Sequence, residues 1–119
     1  MFSQKALQRV KTIDKKIKYI YAIVAQYDSV ESALEDEQNA RASILMHLIS
    51  ISEQFDKLLH SGELEILAYF DKEDIKGSYE LRNFIAHDYE GVDLYIVEDV
   101  INERLKIIED SVTKILEQK

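Results

Sequence analysis

Residues 82–89 combine an arginine, an asparagine, a histidine and a tyrosine at the end of a predicted apolar helix. Arg82 is suited to phosphate because its guanidinium presents a planar fork of hydrogen-bond donors. His87 is of the residue type that transfers protons near neutral pH. Together with Asn83 and Tyr89, these residue types predict chemistry on a phosphodiester.

Helix geometry constrains how the site can be built. A helix turns by about 100° per residue, so Asn83 and His87 lie about 40° apart on one face, whereas Arg82 and His87 lie about 140° apart. An ideal helix would therefore not direct Arg82 and His87 at one atom. Unwinding of the helix near His87 would relax this separation. A second chain related by a two-fold axis could also supply the missing partner.

Each of these residues also has a purely structural explanation. Arg82 could form a surface ion pair, and Asn83 could bond to neighbouring side chains. A protonated His87 would be favoured by the dipole at the end of the helix, and Tyr89 could be one more tyrosine at the rim. The combination, in this order and next to Gly91, favours a functional site.

No other pattern in the chain predicts an enzyme site. The three histidines lack metal-ligand spacing, so neither a metal ion nor a cofactor is predicted. The three glycines are too scattered to form a phosphate-binding loop, and the paired Glu-x-x-His arrangement of di-iron bundles is missing.

Composition and hydrophobic periodicity predict an all-α protein. The chain has 119 residues, no proline and no cysteine, which fits a single domain over residues 1–119 without disulfides or thiolate metal sites. Apolar residues recur at spacings of four and three, which predicts an up-down antiparallel bundle of four main helices. Those helices are predicted over Gln4–Gln26, Glu37–His60, Ile75–Asp88 and Leu94–Glu117.

Shorter segments connect the main helices. Asp28 and Ser29 predict a cap for a short helix around Val30–Leu34. Ser61 and Gly62 should end the second main helix. The segment Glu63–Glu73 is read as a short helix or a packed loop.

The apolar stripes predict the core, and Gly91 is predicted to cap the third main helix at its C-terminus. Helix one contributes Ala6, Val10, Ile13, Ile17, Ile20 and Val24. Helix two contributes Ile44, Leu48, Ile51, Phe55 and Leu58. Helix three is expected to turn Ile75, Tyr79, Phe84 and Ile85 inward, and helix four Val97, Ile101, Leu105, Ile108, Val112 and Ile115.

Charge is unevenly distributed along the chain. The formal net charge is -8, but residues 1–18 hold six lysines and arginines and one aspartate, a net charge of +5, so the other 101 residues carry -13. A short RNA could be steered to this basic helix, although its lysines also suit a solvated helix face. The acidic remainder could equally meet a basic protein partner. With neither an apolar leader nor a membrane-length apolar stretch, we expect a cytoplasmic protein that does not enter the membrane.

Arg82, Asn83, His87 and Tyr89 resemble the motif of the HEPN superfamily, and within it of the HepT-like toxins. That motif reads Arg-x4-His-x-Tyr with a polar residue after the arginine, and Gly91-Val92-Asp93 resembles its typical continuation into the last helix. The resemblance implies a dimeric helical bundle with motifs from two chains in one cleft. It also implies metal-independent cleavage of RNA, with tRNA as one candidate substrate. Arg82 would neutralise the phosphate, Asn83 would orient the reacting groups, and His87 would act as general base or acid.

The resemblance further implies a partner and a modification. HepT-like toxins are typically encoded beside a minimal nucleotidyltransferase antitoxin that adds AMP groups to the motif tyrosine, here Tyr89. The added negative charge would repel RNA from the cleft. Many relatives carry a Pro-Trp element ahead of the motif, whereas this chain has Phe70–Ile75 there, so the edge of the cleft should differ.

Three hypotheses follow from the sequence. The first is a ribonuclease toxin of a type II toxin–antitoxin pair. The second is a non-catalytic helical binding subunit of a nucleotidyltransferase complex, which the acidic charge favours. The third, a generic interaction domain, requires the motif to be a coincidence.

Overall fold

The computed structural model describes residues 2–118, and the regular structure in that range is entirely helical. The predicted all-α class is therefore confirmed. Seven α-helices occur within residues 2–118: α1 (Gln4–Val24), α2 (Val30–Glu35), α3 (Ala42–His60), α4 (Leu64–Leu67), α5 (Lys72–His87), α6 (Leu94–Asp99) and α7 (Leu105–Leu116). π-helical turns at Glu37–Arg41 and Val100–Arg104 precede α3 and α7, and a 3-10 turn at Tyr89–Gly91 follows α5.

The long helix α1 begins at a serine cap and presents one apolar face. The side-chain oxygen of Ser3 accepts a hydrogen bond from the Ala6 amide at 3.0 Å, which satisfies one of the free donors of the first turn. The predicted stripe is buried from Ala6 to Ile20, and Leu7 joins it, whereas Val24 is only partly buried. Because the opposite face is rich in lysine, α1 is a surface helix that packs by one side.

Local capping also explains the connection from α2 to α3. As predicted, Ser29 caps α2, where its side chain accepts from the Ser32 amide at 3.0 Å. Asp36 then accepts from the Asn39 amide and opens the π turn that leads into α3. Helix α3 ends at His60 with Ser61 as its C-cap, and Gly62 has a φ of +72°, the left-handed conformation that favours glycine.

The segment Glu63–Glu73, predicted as a short helix or a packed loop, contains the short helix α4. Helix α5 begins three residues earlier than predicted, because Asp71 caps it by accepting from the Glu73 amide at 2.9 Å. Phe70, just before this cap, contacts Phe55 of α3 edge-on at 5.0 Å between ring centroids. This aromatic pair fixes the start of α5 against the core.

The core lies between α1, α3 and α7, and α5 packs against α3. All predicted core residues of the second and fourth main helices are buried. In α5, Ile85 is buried, and Ile75 and Tyr79 are partly buried against the core.

Two predictions for this region are wrong. Phe84 was expected to face inward but is 49 % exposed, because a groove separates its face of α5 from α6. Gly91 was expected to cap α5 at its C-terminus, but Gly62, after α3, is the glycine with the positive φ of such a cap within residues 2–118. Asp88 ends α5 instead, at φ -151° and ψ 73°, and Gly91 lies inside the following 3-10 turn.

None of the helices described over residues 2–118 combines the length and apolarity needed to cross a bilayer.

Candidate functional site

Helix α5 and the turn that follows it carry all four candidate residues. Arg82, Asn83 and His87 belong to the last turns of α5, and His87 is its final residue. Tyr89 starts the 3-10 turn and is 36 % exposed. The predicted placement of the motif at a helix end is therefore correct.

Asn83 and His87 share one surface, as their spacing of four predicts. Both are exposed, and together with Glu80, Phe84 and Asp88 they line an open depression along α5. The imidazole of His87 is thus accessible to a ligand, with an amide one turn before it.

Arg82 lies on a different surface of α5. It lines a cavity of about 490 Å³ between α3, α5, α6 and α7, which His87 does not line. Glu80 and Phe84 line both this cavity and the depression, so they form the ridge between Arg82 and His87. The helix remains regular through His87, so the unwinding considered above does not occur, and one chain does not direct both groups at one atom.

Tyr79 positions the guanidinium of Arg82. The Arg82 Cζ atom lies 5.5 Å from the centroid of the Tyr79 ring, one helical turn away. Stacking on a ring leaves the planar edge of donors free to meet an anion. We identified Tyr79 from sequence only as a core residue, although its i, i+3 spacing to an arginine was a usable signal.

The hydroxyl of Tyr79 is buried and has no hydrogen-bond partner within residues 2–118. Burial raises the pKa of this hydroxyl, and the nearby carboxylate of Asp56 adds to the increase, whereas Arg82 opposes it. Tyr79 is therefore neutral at physiological pH and contributes its ring rather than a charge.

The backbone after His87 is organised by Asp88. Its amide donates to the Phe84 carbonyl at 2.8 Å, and its carboxylate accepts from the Gly91 amide at 3.1 Å. A Cβ atom at position 91 would lie 2.2 Å from Oδ2 of Asp88, which no ordinary contact allows. With the Asp88 carboxylate in this position, the turn that presents Tyr89 favours glycine at position 91, and any other residue would displace that carboxylate.

Charges around His87 are acidic. Glu80 and Asp88 line the same depression, so an RNA phosphate approaching His87 on one chain alone would meet two like charges. A cation from outside this surface is needed to hold a phosphate there.

An ion pair closes the other end of the cavity that Arg82 lines. The Arg104 guanidinium donates to Oδ1 of Asp74 at 2.7 Å and to Oδ2 at 2.9 Å, and it also reaches Asp71 at 3.3 Å. Asp74 is 8 % exposed, so its charge is compensated in a nearly dry site. This pair ties the first turn of α5 to the π turn before α7.

No group of three or more histidine, cysteine, aspartate or glutamate side chains that could hold a metal ion occurs among residues 2–118. The candidate site therefore consists of a histidine with an amide on one surface of α5 and an arginine stacked on a ring on the next.

Comparison with known families gives a specific match. The model of the HepT-like family, described as ribonuclease HepT-like, matches residues 13–115, which include α5 and all four candidate residues. Comparisons with curated proteins and with solved structures found no match. Since the family match covers most of the chain, the protein belongs to the HepT-like ribonuclease family.

Proposed function

We propose that the protein is a metal-independent endoribonuclease of the HEPN type, the toxin of a toxin–antitoxin pair, with RNA such as tRNA as its substrate. The observation that supports this most directly is an exposed His87 with Asn83 beside it, on the same helix as an arginine that is stacked on Tyr79 and lines the neighbouring cavity. Family membership supplies the reaction class.

The reaction we propose is an internal transesterification. His87 accepts the proton of a ribose 2′-hydroxyl, and the resulting oxygen attacks the adjacent phosphorus. The bond from phosphorus to the 5′-oxygen breaks, and that oxygen takes a proton from a second histidine. The products are a 2′,3′-cyclic phosphate and a 5′-hydroxyl. Arg82 stabilises the additional negative charge on the phosphate oxygens.

Within residues 2–118, one chain places neither a second histidine nor a cation beside His87. In this proposal, both come from another copy of the chain. A homodimer with a two-fold axis near α5 would bring the partner subunit's Arg82 and the partner subunit's His87 into the same cleft. Exposed apolar side chains at this surface favour such an interface, since Phe84, Tyr95 and Ile96 are 49 %, 80 % and 54 % exposed. Each chain would contribute one domain, with its four main helices running up and down.

We further propose that a minimal nucleotidyltransferase antitoxin neutralises the protein by adding AMP to Tyr89, and that both proteins act in the cytoplasm. The exposed position of Tyr89 in a turn beyond α5 supports access by another enzyme. Phosphates attached there would add negative charge next to Asp88, which lines the same depression as His87. RNA would then be repelled from the whole surface.

The test is cleavage of total tRNA by wild-type protein and by His87→Ala, in the presence of EDTA and with the product ends mapped. We expect cyclic phosphate ends from the wild type and a loss of at least about 100-fold in His87→Ala. His60→Ala is the matched control, because His60 is an exposed histidine at the end of α3, away from the site. Equal cleavage by wild type and His87→Ala would refute the mechanism.

The second candidate is a non-catalytic helical binding subunit of a nucleotidyltransferase complex. The acidic surroundings of His87 favour it, because they suit a basic protein partner better than RNA. It predicts a stable complex with the neighbouring nucleotidyltransferase and no cleavage by protein whose intact mass shows an unmodified Tyr89. Toxicity on solo expression that His87→Ala relieves would decide for the nuclease.

A further inference from the structure

A second surface with features of nucleic-acid binding lies on α1, away from the candidate site. Tyr19 is 45 % exposed, and its ring lies against that of His47 on α3, with 5.3 Å between centroids. The Nζ atom of Lys16 lies 5.6 Å from the centroid of the Tyr19 ring. Lys15 precedes Tyr19 by one turn and is exposed. We call Lys15, Lys16, Tyr19 and His47 the α1 patch.

The lysines of the α1 patch differ from the other cation nearby. Lys18 lies 2.6 Å from Asp14 and 3.9 Å from Glu109, so its charge is compensated. Lys15 and Lys16 have no carboxylate within ion-pair distance in the part of the chain that the structure covers. On a helical wheel Lys15 and Lys16 flank Tyr19 at about 40° and 60°, whereas Lys18 lies about 100° away.

The neighbouring side of α3 is free of acidic residues. The two acids of α3, Glu53 and Asp56, lie about 120° and 180° from His47 around the helix. Partial burial, reinforced by the charge of Lys16, lowers the pKa of His47. Its ring is therefore neutral at pH 7 and available for stacking. Two uncompensated cations thus frame a pair of rings in a chain of net charge -8.

We propose that the α1 patch is an RNA exosite, in which a base of a single-stranded segment stacks on Tyr19 while Lys15 and Lys16 contact the flanking phosphates. This inference rests on the proposed function, since it assigns a second contact to the same substrate. Aromatic rings beside lysines are the arrangement by which proteins bind single strands without sequence preference. Charge complementarity selects RNA over a basic protein or a second acidic chain.

The position of the α1 patch relates it to cleavage. Asp56 lies on the side of α3 opposite His47 and is near Tyr79, whose ring contacts the guanidinium of Arg82. The α1 patch is built on α1 and α3, and the candidate site lies on α5, which packs against the same helix α3. A long single strand that follows the surface around α3 can therefore contact both. The exosite would hold a long RNA while its neighbouring phosphodiester lies beside His87.

The first measurement is RNA affinity without turnover. A fluorescent single-stranded RNA of about 12 nucleotides is titrated with full-length His87→Ala protein and with the same protein carrying Tyr19→Ala, Tyr19→Phe or Lys16→Ala. Tyr19→Ala should raise Kd about tenfold, and Tyr19→Phe should retain most of the affinity. Lys16→Ala should lower the slope of log K against log salt by about 0.7. Lys106→Ala, which removes a lysine paired with Asp110 at 3.3 Å, is the matched control and should change neither value.

The second measurement separates the exosite from the nuclease. Protein with an intact His87 is assayed on a dinucleotide and on a long RNA, with and without Tyr19→Ala. The exosite predicts a raised KM for the long RNA and an unchanged rate on the dinucleotide.

An unchanged Kd in Tyr19→Ala and Lys16→Ala overturns the exosite, whatever the nuclease does. Weakened binding, together with no cleavage by wild-type protein whose intact mass shows an unmodified Tyr89, supports the exosite and refutes the proposed function. A change in the mass of the assembly with no change in Kd assigns the α1 patch to an interface between copies and overturns the RNA proposal.

Discussion

At the scale of single residues, the ring and the hydroxyl of Tyr79 contribute differently to the site. The ring supports the guanidinium, whereas the hydroxyl is buried without a protein partner among residues 2–118. We therefore expect Tyr79→Phe to keep the cleavage rate and to be as stable as wild type or up to about 1 kcal/mol more stable, because an unpaired buried hydroxyl is removed. Tyr79→Leu removes the ring and should lower kcat/KM about threefold to tenfold. Kinetics on the same RNA with the two variants side by side would measure the contribution of the ring, and equal rates would contradict it.

His47 should make stability depend on pH. Its pKa in the folded protein is below the ordinary value of 6.5, so between these two values the unfolded chain binds more protons. Stability should therefore fall as the pH drops below 6.5. The residues facing His47 across the α1–α3 contact are Lys16 and Tyr19.

Urea midpoints at pH 7.5 and pH 5.5 test this, with His47→Gln as the comparison. Carboxylates titrate in both proteins, so only the difference between the two proteins reports on His47. The variant should lose less stability on acidification than the wild type. A larger loss in His47→Gln would mean that the sign is wrong.

Helical spacing was sufficient to predict the angular separation of Arg82 from His87, and the two surfaces of α5 follow from it. It was insufficient for Phe84, because periodicity shows which face of a helix is apolar but not whether another helix covers that face. Gly91 was also misread. A glycine after a helix suggests a helix cap, but Gly91 lies inside the 3-10 turn, where it leaves room for the Asp88 carboxylate three residues earlier. That side-chain position does not follow from helical periodicity.

At the scale of elements, the pair between Asp74 and Arg104 holds the motif helix in place. Helix α5 packs on α3 but borders α6 and α7 across a cavity, so this pair is a direct polar link from α5 to the last helix. Arg104→Gln should lower the free energy of unfolding by about 2 kcal/mol. That figure is below the usual cost of breaking a buried pair, because Arg104 itself is 38 % exposed.

The control for this prediction is Lys106→Gln. It breaks a solvent-exposed pair with Asp110 on α7, and we expect it to lower the free energy of unfolding far less than Arg104→Gln does. Equilibrium urea unfolding of the two variants would compare them. Equal costs would show that the Asp74–Arg104 pair contributes no more than a surface pair.

At the two π turns, the spacing of buried residues along the sequence departs from the pattern of a regular α-helix. Buried residues of α1 alternate between spacings of four and three, as a regular helix requires. At each π turn the spacing of four occurs twice in succession, in Ala40–Ile44–Leu48 and in Val97–Ile101–Leu105. Two such steps rotate the apolar stripe by about 80° on a regular helix. Because a π turn contains more residues than an α turn, it offsets this rotation and keeps the stripe facing the core. The predicted helix bounds were otherwise within three residues, because serine, aspartate and glycine caps are local signals.

At the scale of the whole molecule, the chain is elongated, with extents of 43 × 29 × 20 Å, and its candidate residues lie on two surfaces of one edge helix. Such a layout suits assembly, because a second copy can complete what one chain separates. No sequence pattern in a single chain specifies the geometry of a two-fold axis, so the dimer stays a prediction that rests on the angular separation of Arg82 from His87 and on the family resemblance.

A composite cleft predicts how activity depends on subunit mixing. If one cleft uses a histidine from each chain, mixed dimers of wild type and His87→Ala lack the base or the acid. Equal amounts of the two chains after subunit exchange should then retain about a quarter of the wild-type rate, because only wild-type pairs are active. Independent chains would retain about half, and that result would remove the second histidine from the mechanism. Mixing with His60→Ala subunits controls for dilution and exchange, and it should cause no loss.

The glycine at position 91 has a consequence for the cell that carries this protein. Its missing methyl group lets the Asp88 carboxylate close the turn that presents Tyr89, while Arg82, Asn83 and His87 lie upstream in a regular helix. Gly91→Ala would therefore push the Asp88 carboxylate aside and remove its hydrogen bond to the turn, while the reacting groups stay in place. On the proposed function, this single change would slow AMP addition to Tyr89 more than it slows RNA cleavage. A cell that carries it would then be less well protected by an antitoxin whose own gene is intact.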